Sequence, residues 1–158
     1  MIDRKLVREL AEERIAERDE MLYIVEITIG GANQILIELD REEGFVAIED
    51  CISISRNVEH NLDREEQDFA LEVSSAGMTK PFRVLKQYIK NVGREVKVEG
   101  HEHGKSVEGL LKSADENGFV IETKEKKRIE GKKKKEWVIE EIPFSYNEVK
   151  ETKLIISF

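Results

Sequence analysis

The chain has 158 residues, 39% hydrophobic and 38% charged, so any core lies beneath a densely ionic surface. Ten glycines, two prolines and one cysteine exclude collagen-like, low-complexity and disulfide-framework classes, and 26 basic against 34 acidic side chains leave a net charge of −8. A lone cysteine fits a reducing compartment, no apolar run nears the roughly 20 residues that cross a bilayer, and no secretory signal is visible, so a cytoplasmic protein is expected.

Leu6, Val7, Leu10, Ala11 and Ile15 recur at helical spacing and predict a helix over 3–18, with Asp3 as its N-cap. Two β-rich runs follow, Leu22–Ile29 and Gln34–Leu39. Between them Gly30-Gly31-Ala32-Asn33 reads as a hairpin connection that accepts positive φ. After Gly44, the residues Ile48, Cys51, Ile52, Ser55, Val58 and Leu62 predict one apolar face of a second helix. Phe69, Leu71 and Val73 alternate as a third strand that runs into Ser74-Ser75-Ala76-Gly77. The order αββαβ predicts helices on one face of a small mixed sheet, an α+β domain over 1–80.

Pro81 suits the first turn of a connector helix over 81–93, capped by Thr79 or Lys80 and ended by Gly93. From residue 94 the period changes to two. Val96 and Val98, then Val107, Gly109 and Leu111, alternate, and Asp115-Glu116-Asn117-Gly118 is a turn. Phe119, Ile121 and Thr123 follow, then Trp137 and Ile139, and Val149–Ile156 ends the series. Five short strands over 94–158 predict a small closed barrel, with Phe119 and Trp137 in its core.

Little in the sequence suggests catalysis. Gly100-His-Glu-His-Gly104-Lys105-Ser106 has three residues between its glycines where a phosphate-cradling P-loop has four, and it leads into a strand rather than a helix. His101 and His103 share a strand face but lack cysteines and a third histidine nearby, so no metal site is assigned. Cys51 lies among apolar neighbours and reads as packing rather than as a nucleophile. Glu49 and Asp50 point about 100° apart on a helix, which does not suit a cooperating acid–base pair. The chain reads as a binding protein with no cofactor, no small-molecule substrate and no membrane association.

Charge divides it. Residues 1–80 have a balance of −11 and residues 81–158 one of +3. Arg83, Lys86 and Lys90 form a basic row on the connector helix, extended by Lys80 and Arg94. The segment Lys124–Lys135 holds eight basic and two acidic residues, among them Lys126, Lys127, Arg128, Lys132, Lys133, Lys134 and Lys135, and reads as a loop between two strands. Such cations attract phosphate without reading sequence. The acidic half suits a basic protein instead, with Glu12, Glu13, Asp40, Glu42, Glu43 and Asp50 as exposed carboxylates. An assembly of RNA and basic proteins satisfies both halves, and ribosomal particles are the abundant case.

Phe69-Ala-Leu-Glu-Val-Ser-Ser-Ala-Gly-Met-Thr-Lys-Pro-Phe82 resembles the signature of the RimP family of bacterial ribosome maturation factors, usually Leu-Glu-Val-Ser-Ser-Pro-Gly-Leu-Asp-Arg-Pro-Leu. Glu49-Asp50-Cys51 followed by Ser55-Arg56 resembles that family's Asp-Asp-Cys…Ser-Arg helix. Ser74, Ser75 and Gly77 match the signature turn. Ala76 stands for its Pro, Thr79 for its Asp, and Lys80 for its Arg, which keeps the charge and loses the bidentate fork. The resemblance implies a KH-like N-terminal domain and an Sm-like, SH3-like C-terminal barrel. It also implies a non-enzymatic role in 30S assembly, with binding to the immature subunit through rRNA and a basic ribosomal protein, S twelve. The other reading is an Sm-like chaperone for free RNA, which calls for aromatic stacking platforms.

Overall fold

The computed structural model describes residues 2–101, 105–128, 131 and 134–156, with positions 127 and 128 described by their backbone alone. The chain divides into two compact units, Met1–Gly77 and Met78–Phe158.

In the first unit the expected αββαβ order is present. Helix α1 spans Arg4–Arg18 and begins where the Asp3 carboxylate accepts the Lys5 N–H at 3.0 Å. Its core residues Val7, Ala11 and Ile15 lie four apart on one stripe. Strands β1 (Leu22–Gly30) and β2 (Gln34–Arg41) pair antiparallel. The turn between them holds Ala32 and Asn33 at φ 57° and 53°. Asn33 is held there by its side chain, which donates to the Asp68 carbonyl and accepts from the Ile2 N–H.

Helix α2 (Ile48–Asn61) then returns the chain so that β3 (Ala70–Ser75) pairs parallel to β2, in the order β1-β2-β3. Ile35, Ile37 and Leu39 of β2 face the helices and meet Val7, Ile15, Ile54 and Val58 in one core. A polar seam joins the helices above that core. Buried Asn57 donates to the Leu10 carbonyl at 2.7 Å, and Arg14 donates to Asn57 and to Ser53.

The second unit starts irregularly. Helix α3 covers only Leu85–Lys90, shorter than the 81–93 expected. The Phe82 N–H is bonded to the Thr152 carbonyl at 2.8 Å, which keeps this stretch extended, and Val84 occupies the N-cap. The side chain of buried Gln87 accepts the N–H groups of Arg83 and Val84, satisfying donors the short helix leaves over.

Strands β4 (Glu95–Gly100), β5 (Ser106–Ala114), β6 (Phe119–Arg128), β7 (Lys135–Phe144) and β8 (Val149–Leu154) form one antiparallel sheet in the order β7-β6-β5-β4-β8. The sheet is not closed, because β7 and β8 are its two edges, and this corrects the expected closed barrel. Val96, Val98, Leu111, Phe119 and Ile121 fill its core with Tyr88, whose hydroxyl bonds the buried Thr152 at 3.0 Å. The Asp115 carboxylate accepts the N–H groups of Asn117 and Gly118 and closes the expected turn. Among the described residues no helix is long and apolar enough to cross a membrane.

Candidate functional site

The segments that carry the two sequence motifs, far apart in the chain, line one groove in the first unit. Its volume is about 530 Å³, and its walls are Cys51, Ile52, Ser55 and Arg56 of α2 against Val73, Ser74 and Ser75 of β3. The groove exists because α2 is apolar over more than one stripe. Ile54 and Val58, four apart, enter the core, while Ile48 and Ile52 sit roughly more than 100° round the helix from Ile54. The sequence places all four of Ile48, Cys51, Ile52 and Val58 on a single inward face, and the structure corrects that. Ile48 is 76% exposed and Ile52 44%, and Phe45 just before the helix is 77% exposed.

The signature turn closes the groove's end. The Ala76 N–H donates to the Leu39 carbonyl at 2.8 Å, and the Ser75 hydroxyl accepts the Gly77 N–H at 3.2 Å. Gly77 has φ +75°, the left-handed conformation that the motif's glycine supplies. Ser75 is therefore occupied in shaping the turn.

Chemically the groove is mixed: Val46, Ile48, Cys51, Ile52 and Val73 offer an apolar surface, and Ser55, Arg56, Glu59, Ser74 and Ser75 offer polar groups beside it. Its one thiol, Cys51, is raised above its ordinary pKa by burial first and by the neighbouring Asp50 second, so at neutral pH it stays protonated. No group of three or more His, Cys, Asp or Glu that could hold a metal occurs among the described residues. Of the histidine pair, His101 meets the Asn147 carbonyl at 3.0 Å, and His103 lies outside the described residues.

Two of the expected docking carboxylates have structural roles instead. Asp50, its side chain 13% exposed, accepts the Ala47 N–H at the start of α2 and pairs with Arg18 at 2.7 Å. Asp40 is half-buried and accepts the Tyr23 hydroxyl at 3.2 Å. Glu12, Glu13, Glu42 and Glu43 are exposed.

The basic residues of the second unit fall into two sets. Lys80, Arg83, Lys86, Lys90 and Arg94 do not form one helical row, because only Lys86 and Lys90 lie on α3. Lys80, Arg83, Lys86 and Lys90 each have an interaction partner within the chain, and Arg83 is half-buried. Arg94 is exposed in the turn before β4.

The second set was expected in a loop. Lys126, Lys127 and Arg128 instead continue β6, and Lys135 opens β7. The hairpin extends this far in unbroken antiparallel register, with Lys126 opposite Trp137 and the backbone pairing continuing to Arg128 opposite Lys135. Lys134 is exposed before β7, and Lys132 and Lys133 lie outside the described residues.

Sequence reasoning missed one residue here. Trp137 is not in the core; it is 63% exposed, with the Lys126 ammonium 5.4 Å from the ring centroid. The inward residues of β7 are Val138, Ile142 and Phe144, one position out of phase with the expectation. Both phases carry apolar residues, so alternation alone could not choose. Pro143 gave a signal, because a proline within a strand marks an edge.

Comparison with known proteins gives a consistent result. The RimP N-terminal domain matches residues 10–79. The chain is 41% identical over 152 residues to the ribosome maturation factor RimP of Christiangramia forsetii, covering 96% of this chain and 97% of that one. It is 38% identical to that of Flavobacterium psychrophilum over the full length of both, and 30% identical to that of Porphyromonas gingivalis over 99% of this chain.

Proposed function

The chain belongs to the RimP family, and from that premise we propose that it acts in ribosome maturation as a binding protein that engages the immature 30S subunit. The first unit is read as KH-like and the second as Sm-like. For the second unit, the order β7-β6-β5-β4-β8, with the last strand beside the first, supports that reading. The observation that carries the proposal is the convergence of both motif segments on one groove that has an exposed apolar wall at Ile48 and Ile52. A site of that kind contributes binding energy and shape, and shifts a population of particle conformations without covalent chemistry.

In this reading the groove and the exposed carboxylates around Glu42 and Glu43 face a basic ribosomal protein, with S twelve as the family's partner. The cations of the β6–β7 hairpin and Arg94 face rRNA. Lys80, Arg83, Lys86 and Lys90, each of which has an interaction within the chain, are read as part of the same RNA-facing surface. The protein works in the cytoplasm, where subunits are assembled.

Deleting the chain from its host should cause small-subunit precursors to accumulate. Re-expression of the parent should clear them, while Ile48→Glu combined with Ile52→Glu should not, because two carboxylates would replace the exposed apolar wall of the groove. A normal subunit profile in the deletion strain, or full rescue by the double variant, would overturn the proposal. The second reading, a chaperone for free RNA, is favoured by one observation, the exposed Trp137.

A further inference from the structure

The outer face of the β6–β7 hairpin combines features that the maturation reading does not require. Lys126 lies directly across from Trp137, and Lys124 directly across from Ile139, so these four side chains share one face. Lys135, two residues before Trp137, is on that face too. Trp137 and Ile139 are both exposed. The same face carries Glu122 and Glu141 nearer the body of the sheet, and their charge is answered locally. Lys112, the extra residue where the β5–β6 register shifts, is bonded to the Glu141 carboxylate and pairs with Glu122 at 3.4 Å. The outer end of the face is therefore left with lysines around an indole.

We propose that Trp137, with Lys124, Lys126 and Lys135 beside it, is a stacking platform for an unpaired base of single-stranded RNA. An aromatic ring offers a flat surface to any base, and flanking ammonium groups meet the phosphates on either side. Lysines on alternate positions of a strand are about 7 Å apart, comparable with the step between successive phosphates of an extended chain. A protein partner fits less well. The buried centre of a protein–protein interface favours Trp but is depleted in Lys, and covering this indole would desolvate three ammonium groups. This inference rests on the reading of the second unit as the RNA-facing part of the protein.

Trp137 is the chain's single tryptophan, so its fluorescence reports on this face alone. Titrating the full chain with an eight-nucleotide oligouridine should quench that emission to saturation. Anisotropy of the labelled oligonucleotide should show Trp137→Ala weakening affinity by about ten-fold or more, with Trp137→Tyr recovering most of it. Lys124→Gln with Lys126→Gln should lower the salt slope, whereas Trp137→Ala should leave it unchanged. Unaltered emission at saturating oligonucleotide, or equal affinity of Trp137→Ala, overturns the proposal. Loss of precursor binding by Trp137→Ala without any oligonucleotide effect also overturns it, and assigns the ring to a protein. Quenching by oligouridine in a chain that fails to bind precursors would uphold the platform while removing the maturation reading.

Discussion

Asn57 shows how a polar residue on the inner face of a helix can hold two helices in register. It is buried, it donates to the Leu10 carbonyl, and it accepts from the Arg14 guanidinium. Asn57→Ala should remove these bonds together and leave a cationic group facing an emptied site. The expected loss is about 1–3 kcal/mol in urea unfolding, and a change below about 0.5 kcal/mol would contradict the role assigned to the seam. Nothing in the sequence distinguished Asn57 from a solvated asparagine, because hydrophobic periodicity registers apolar residues only. Asp50 was hidden for a similar reason, since an acidic residue in a helix's first turn reads equally as cap or as surface. Trp137 and Phe119 illustrate the opposite difficulty. Both are aromatic and lie on alternating strands, yet one is core and the other exposed, and the difference lies in the phase of the strand.

The elements themselves were more legible. Asp3 as cap, the hairpin with positive φ at Ala32 and Asn33, and the Asp115–Gly118 turn each depend on local chemistry written at the right position. The long-range facts were not written locally. The connector helix is shortened by a bond from Phe82 to Thr152, seventy positions on in the sequence, and the start of the lysine run, up to Arg128, becomes strand because β7 is there to pair with it. Gly109 belongs to the same class. A Cβ at that position would lie 2.5 Å from the Glu122 carbonyl oxygen and 2.7 Å from the Ile121 side chain, so β5 approaches β6 only because the residue is glycine. Gly109→Val should therefore force the two strands apart and cost about 1–3 kcal/mol, read as a lowered melting temperature. A variant as stable as the parent would show that the strands can separate without loss.

The two units carry different surfaces, and that difference was legible from charge alone. What composition could not show is that the acidic unit also bears a groove with an exposed apolar wall, or that Lys124, Lys126 and Lys135 of the basic unit share one face of paired strands. The segments of both family-like motifs lie on that groove, which sequence spacing cannot reveal, because α2 and β3 meet only through the parallel pairing of β3 with β2. In the proposed function the protein is an adaptor with a partly apolar docking surface and a cationic one, each addressed to a different component of a ribonucleoprotein. Its most direct test is sedimentation of the labelled chain with purified small-subunit precursors and with mature subunits across a salt series. Binding should favour precursors and weaken steadily as salt rises. Equal binding to both particles, or affinity that does not change with salt, would contradict it.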